Sequence, residues 1–142
     1  MTDYQSSITY FSKSGKENTE KVMQLSLKKA NELGIRTALV ASTTGYTAKL
    51  AVDILQGLDI TIVTHSAGFR EPDVQEFDPE IQNYVESKGA QVVTAQHSFG
   101  GINRAIRTTF KGFQTEEVIA HTLRLFGQGM KVVSEIAMMA AD

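Results

Sequence analysis

The stretch that decides the fold reads Thr37-Ala-Leu-Val-Ala-Ser-Thr-Thr-Gly-Tyr-Thr-Ala-Lys-Leu-Ala-Val-Asp-Ile54. An apolar run over 37–41 gives way to hydroxyl side chains and a glycine, and a helical apolar pattern begins at residue 48. This order predicts a buried strand, a loop and a helix, and the unpaired N–H groups at the start of a helix attract anions. Gly45 allows close approach of the backbone, and the hydroxyls add donors. The candidate anion-binding residues are Ser42, Thr43, Thr44, Gly45, Tyr46 and Thr47.

This loop is not specific on its own. It is neither a Walker A sequence nor a GxGxxG sequence. An ordinary turn from strand to helix, with Thr47 as the N-cap of the helix, explains the same residues. The loop therefore supports a phosphate site only together with other features of the chain.

Composition excludes several classes of function. The 142 residues predict one domain over 1–142, and 42% hydrophobic with 21% charged residues is typical of a globular protein. A net charge of -2 gives no general affinity for nucleic acid or an anionic membrane, and no run has the length of a membrane span. Cysteine is absent, which excludes disulfides and thiol chemistry. The N-terminal segment has no signal-peptide pattern, so we expect a cytoplasmic protein.

Short apolar runs alternate with helical patterns along the chain. Strands are predicted over 7–11, 37–42, 58–64 and 91–95. Helices are predicted from a capping box at 14–17 to Leu33, over 48–56, from Pro79 to Gly89, over 102–110, and from Thr115 onward with a kink or split near Gly127. This alternation predicts an α/β fold, with a mostly parallel sheet covered by helices on both faces in three α/β/α layers.

The loops that leave the predicted strands differ from the loops that enter them. Glycines, hydroxyls, lysines and histidines fill 12–19, 42–47, 65–70 and 96–101, whereas 34–36 and 89–90 are plain. Ligands of open α/β sheets bind outside the carboxyl ends of the strands, so we expect a composite ligand site there. Turn chemistry required for folding alone would give a similar difference.

Two histidines are candidates for acid–base chemistry. His65 and His97 each follow a predicted strand and would meet at the same edge of the sheet. Simple hydrogen bonding to loop backbone or ligand is the alternative role for both. No HxH or HxxxH spacing occurs, so we expect no metal site, and His121 lies in a helical pattern away from the loops.

Aromatic and basic residues near these histidines have two interpretations each. Phe69 and Phe99 could stack on a flat ligand or anchor their loops in the core. Arg104, Arg107 and Lys111 share one helical face, which could meet a phosphate or pair with the acidic stretch 71–86.

Several segments together resemble a known family. They are Val40–Ala48 followed by Ile60–Thr64, Tyr10-Phe11 with Gly15–Glu20, Thr64–Glu71, His97–Arg104, and Gln128-Gly129 with Glu135–Asp142. The first resembles the C-terminal domain of pyruvate kinase, where a similar Ser/Thr-Gly loop holds a phosphate of a sugar bisphosphate activator. All of them resemble the stand-alone archaeal and bacterial proteins of the pyruvate kinase alpha/beta-domain-like family.

The resemblance implies a pyruvate kinase C-terminal domain-like fold that binds a phosphorylated small molecule, with flavin mononucleotide (FMN) as the best candidate. The phosphate would lie on the 42–47 loop. The rest of the ligand site would be lined by Gly15, Lys16, Glu17, Asn18, Thr19, His65, Gly68, Phe69 and His97. Kinase activity is not implied, because the catalytic barrel of pyruvate kinase is absent.

Two alternatives remain open, and the resemblance also has a departure. The protein could be an enzyme that acts on a flavin or a sugar phosphate with His65 or His97 as the acid–base group, or a non-catalytic assembly module. Relatives continue past the position of Asp142 with another strand. We therefore expect Met138 and Met139 to be short of partners and the chain to form a homo-oligomer, with a dimer as the expected form.

Overall fold

The structure is a computed structural model that describes residues 5–141. Residues 1–4 and 142, which include the beginning of the N-terminal segment and the last residue of the 135–142 motif, lie outside the described residues. The strands are Thr37–Ala41 (β1), Asp59–Val63 (β2) and Gln91–Val93 (β3). A 3-10 helix, Lys16–Asn18, precedes six α-helices, which are Thr19–Leu33 (α1), Tyr46–Ile54 (α2), Pro79–Ser87 (α3), Ile102–Phe110 (α4), Thr115–Arg124 (α5) and Gln128–Ala141 (α6).

The three strands form a parallel sheet in the order β1-β2-β3. Thr37 lies opposite Asp59, and Thr61 lies opposite Gln91. Because all three strands run in the same direction, the loops that follow them meet at one edge of the sheet. The predicted α/β class and parallel pairing are confirmed.

The sheet has apolar packing on both faces, which is compatible with a three-layer α/β/α fold. Alternating residues of β2 point to opposite faces. Ile60 and Ile62 belong to the larger core, which is built with α1, α2 and α3. Val63 belongs to a second cluster with Ile136 and Met139 of α6. Within residues 5–141, the helix that packs on the second face is α6, which contacts β1, β2 and α5.

The predicted strand over 7–11 is wrong. Residues 5–11 form no strand or helix, and Ile8 and Tyr10 are 76% and 86% exposed. The other side of this segment borders a groove beside Val22 of α1. No strand among the described residues pairs with this segment, and pairing is what makes a strand.

Several predicted caps are also corrected. No side chain caps the helix at the 14–17 segment, and α2 begins at Tyr46 with Gly45, rather than Thr47, as its N-cap. At the start of α5 the N-cap is Gln114. Its N–H donates to the Glu117 carboxylate over 3.2 Å. Several consecutive polar residues precede each of these helices, and the sequence alone does not show which of them is the N-cap.

Other boundaries are as predicted. The Asp78 carboxylate accepts a hydrogen bond of 2.8 Å from the Glu80 N–H, and Pro79 is the first residue of α3. The long C-terminal pattern is split, because Gly127, with a φ of 105°, separates α5 from α6.

The expectation for the end of the chain holds for one methionine and fails for the other. Met139 is buried in the second cluster, whereas Met138 is exposed. Their neighbouring positions put them on different sides of α6. No helix within residues 5–141 combines the length and the apolar character needed to cross a lipid bilayer.

Candidate functional site

A cavity of about 460 Å³ lies at the edge of the sheet where the strands end. Its volume falls in the range of ligand pockets. The loops after all three strands contribute to it, together with the 3-10 helix and α6. Of the residues expected at the site, those that line the cavity are Lys16, Thr19, Ser42, Thr43, Thr44, Tyr46, Thr47, His65, Phe69 and His97.

The remaining expected residues do not line this cavity. Gly68 lines an adjoining notch with Phe69 and Arg104. The Asn18 side chain donates to the Lys13 carbonyl over 2.6 Å and so holds its own loop together. Gly15, Glu17 and Gly45 are not part of the wall.

The loop after β1 presents free backbone donors to the cavity. Ser42 is buried, and its hydroxyl accepts a 3.2 Å hydrogen bond from the N–H of Ala48. The N–H groups of Tyr46 and Thr47 lie too early in α2 for an intrahelical acceptor, and none of the residues from 5 to 141 accepts from them. Two donors at a helix start therefore remain for a ligand.

Gly45 is required by both its conformation and its surroundings. Its φ is 101°, and an added Cβ would lie 2.8 Å from a methyl carbon of Ile81 in α3. The loop thus passes against α3 with no room for a side chain.

His65 is held by a carboxylate that the sequence did not single out. Its Nδ1 lies 3.1 Å from Oε2 of Glu76, and the second oxygen of Glu76 accepts from Arg70 over 3.1 Å. An imidazole that donates from Nδ1 to a carboxylate has its other nitrogen, Nε2, left for a ligand.

His97 faces a glutamate in a similar but looser arrangement on the other side. Its Nδ1 lies 3.6 Å from Oε2 of Glu135, and the carboxylate also pairs with Lys131 and accepts the Phe99 N–H over 3.1 Å. Burial would raise the pKa of Glu135, but its contacts with His97, Lys131 and the Phe99 N–H outweigh burial and lower the pKa to about 2. Glu135 is therefore an anion at neutral pH despite its burial.

One nitrogen of His97 has no partner. Its Nε2 is buried and makes no hydrogen bond with any described residue. Such an atom is rare in folded proteins and is costly to leave unsatisfied, by about 1–3 kcal/mol. A polar group supplied by a ligand would relieve this cost.

The rings beside the cavity form one cluster. The centroids of His65 and His97 are 5.0 Å apart, and the Phe69 ring lies 4.3 Å from His65 and 5.0 Å from His97. The Arg104 guanidinium is 4.5 Å from the centre of the Phe69 ring. Phe69 thus has partners within the protein, and Phe99 lies under the Lys131 ammonium rather than on the cavity wall.

Positive charge collects around this cavity. Four basic side chains line it against a single carboxylate, that of Glu135, although the chain as a whole carries -2. The basic residues are Lys16, Arg104, Arg124 and Lys131. Their convergence favours an anionic ligand.

The sequence singled out two of those cations and missed the other two. Lys131 and Glu135 are one turn apart on the same side of α6 as the buried Ile136 and Met139. A lysine and a glutamate four residues apart on an otherwise apolar helix face indicate a buried polar site, and this spacing could have identified Lys131 from the sequence. No comparable spacing marks Arg124 in the sequence. It is the last residue of α5, and its place at the cavity depends on the turn between α5 and α6.

The basic face of α4 does not pair with the acidic stretch 71–86 in the described residues. Arg104 reaches Phe69, and Arg107 pairs with Glu117 of α5 over 2.9 Å. No three His, Asp or Glu side chains within residues 5–141 are grouped as ligands for a metal ion. His121 contacts Phe113 rather than the cavity.

No known family model matches the chain.

Proposed function

We propose that this protein binds a phosphorylated small molecule at the carboxyl edge of its sheet. The observation that carries the proposal is the pair of free N–H groups of Tyr46 and Thr47, two residues that line a cavity together with four basic side chains. Backbone donors at a helix start and nearby cations are the groups that bind phosphate in proteins. The hydroxyls of Thr43, Thr44 and Thr47 add further donors.

FMN is the best candidate ligand. The segments that resemble the pyruvate kinase alpha/beta-domain-like family support it, and we infer that the chain is a cytoplasmic, stand-alone member of that family. The donor set fits the group, because the phosphate has its loop and the polar edge of a flavin ring can satisfy Nε2 of His97. Besides the 42–47 loop, the residues that would hold FMN are Lys16, Thr19, His65, Phe69 and His97. When bound, a flavin supplies redox chemistry.

Titration of flavin fluorescence tests the proposal. FMN should bind in the micromolar range or tighter, whereas riboflavin, which lacks the phosphate, should bind at least tenfold more weakly. Inorganic phosphate should compete with FMN. Equal binding of FMN and riboflavin would show that the phosphate site is wrong. Competition by phosphate and by glucose 6-phosphate without FMN binding would keep the phosphate site and replace flavin with a sugar phosphate.

An enzymatic role is the second candidate, and the two histidine–glutamate pairs favour it. His65 with Glu76 and His97 with Glu135 place two oriented imidazoles side by side on the cavity. One imidazole can accept a proton from a ligand while the other donates one. Turnover of FMN with NADH and an acceptor dye, or exchange of C–H protons of glucose 6-phosphate in D₂O, tests this role. The variant His97→Gln should abolish turnover and retain binding of inorganic phosphate.

A non-catalytic assembly module is the third candidate. The large exposed apolar residues of α4 and α5 favour self-association. If the purified protein forms oligomers but binds neither FMN nor inorganic phosphate, this role replaces the other two.

A further inference from the structure

The segment 102–126, which contains α4 and α5, has almost no core of its own. Ala120 is its single buried residue, and α4 contains none. A nine-residue helix is not stable in water without packing of its apolar face. Among residues 5–141, the apolar face of α4 is covered only in part: Ile106 is half-buried, whereas Ile102 and Phe110 are exposed.

That apolar face is a regular stripe. Ile102, Ile106 and Phe110 recur every four residues, and Ile102 and Phe110 are 79% and 76% exposed. Arg104 and Thr108 lie on the opposite side of the helix. The helix is thus built to bury one side, and its polar side is the one that faces the ligand cavity through Arg104.

The area of exposed apolar surface matches one half of a protein interface. Besides the α4 stripe, the segment exposes Phe113, Val118, Ile119, Leu125 and Phe126. At ~200 Å² for a phenylalanine and ~100 Å² for an aliphatic side chain, their exposed fractions amount to roughly 700 Å². A stable interface takes about 800 Å² from each partner, and the largest apolar patch of a typical monomer is about 300–600 Å².

Two opposite charges of this segment can pair between two copies. Lys111, at the end of α4, and Glu116, at the start of α5, make no ion pair with any described residue. A copy related by a two-fold axis presents the same two charges in reverse order, so both pairs can form at once. We infer that the 102–126 segment is the surface through which two copies of this chain form a dimer.

Cysteine variants test the surface directly, because the chain has no native cysteine. Under mild oxidation, the double variant Ile102→Cys with Phe110→Cys should form a covalent dimer efficiently, because residue 102 of one copy lies across from residue 110 of the other where the two α4 helices meet antiparallel at the two-fold axis. Thr108→Cys, on the opposite side of α4, is the control and should remain mostly monomeric. Equal cross-linking of the double variant and Thr108→Cys, or of neither, would contradict the inference.

Sedimentation at micromolar concentration gives the second measurement. The wild-type chain should be a dimer, and Phe110→Glu should raise the dimer dissociation constant at least a hundredfold, whereas Thr108→Glu should leave it within threefold. Circular dichroism should show both variants folded, since neither side chain is in the core. A monomeric wild type, or a dimer that Phe110→Glu does not weaken, would overturn the inference. Phosphate competition with FMN reports separately on the cavity, so failure of the dimer surface and failure of the proposed ligand site remain distinguishable.

Discussion

His65 and His97 follow neighbouring strands, and their imidazole rings meet with centroids 5.0 Å apart and planes at 66°. His65 pairs with Glu76 of its own β2–α3 connection, whereas His97 pairs with Glu135 of α6. The parallel sheet brings the two histidines together, and the glutamates fix how the rings face. The orientation of His97 is thus set by a residue outside the loop that carries it.

The phosphate loop can be tested with a double variant. Thr44→Val with Thr47→Val removes two hydroxyl donors and keeps side-chain size and the backbone. Each lost hydrogen bond to a charged group should weaken FMN or inorganic phosphate by roughly 1.5–3 kcal/mol. Riboflavin binding and the melting temperature serve as controls and should change little. Unchanged phosphate affinity would remove the loop from the site.

Acid should destabilise the protein through Glu135. Its folded pKa of about 2 is below its ordinary value of 4.5, so its stabilising contribution is present above pH 4.5 and is lost as the pH falls toward 2. The full contribution is at most about 3 kcal/mol, and partial access of water to the site lowers it. Urea unfolding of the wild type at pH 7 and pH 3 measures the loss.

Two variants accompany that measurement. Glu135→Gln leaves the Lys131 charge buried without its partner and should cost about 3–5 kcal/mol at pH 7, with a smaller further loss in acid. Glu71→Gln alters an exposed carboxylate that makes no ion pair with the described residues and should behave like wild type. If Glu135→Gln loses as much stability between pH 7 and pH 3 as wild type, another group is responsible for the acid sensitivity.

Alanine variants of two glycines distinguish the energetic cost of backbone strain from the cost of a steric clash. Gly34→Ala adds a Cβ at a φ of 68° with nothing within 4 Å, and should cost about 1–2 kcal/mol. Gly45→Ala carries a similar strain and also meets Ile81 at 2.8 Å, so it should cost about 1–3 kcal/mol more. Chemical unfolding of both variants gives the difference. Equal decreases in the unfolding free energy of the two variants would mean that Ile81 and α3 move away from the added methyl group without an energetic penalty.

We predict no metal requirement for ligand binding. Three scattered histidines and no cysteine motivate the prediction. Treatment with EDTA should leave the melting temperature and FMN affinity unchanged, and elemental analysis of the purified protein should find no stoichiometric zinc or iron. A stoichiometric metal that EDTA removes with loss of binding would overturn it.

Local patterns in the sequence were sufficient for much of the fold. The Thr37–Ile54 stretch predicts its strand, loop and helix to within one or two residues. Its hydrophobic periodicity, the position of Gly45 and the hydroxyl residues of the loop all indicate the same boundaries. The carboxyl-edge position of the cavity also follows, since parallel strands fix which loops meet.

Local sequence patterns could not predict contacts between segments that are far apart in the chain. Whether residues 7–11 form a strand depends on a neighbour to pair with, which the segment does not encode. The sequence context of Glu76 is that of an ordinary surface acid, because its role arises only when its segment folds back onto His65. The Lys131 and Glu135 pair on the apolar face of α6 indicates a buried site, but it does not show that His97 is its neighbour. The ligand itself stays a prediction from resemblance and from the chemistry of the cavity.

The concentration of basic side chains at one place on an acidic protein has a kinetic consequence. Long-range attraction acts on an anion as it approaches, before any hydrogen bond forms, and it decays over a Debye length of ~8 Å at physiological ionic strength. Added salt should therefore slow the capture of a phosphorylated ligand far more than it speeds release. Elsewhere the net negative surface repels the same anion, so productive encounters are directed to the cavity, whose lining includes Lys16, Arg104 and Arg124.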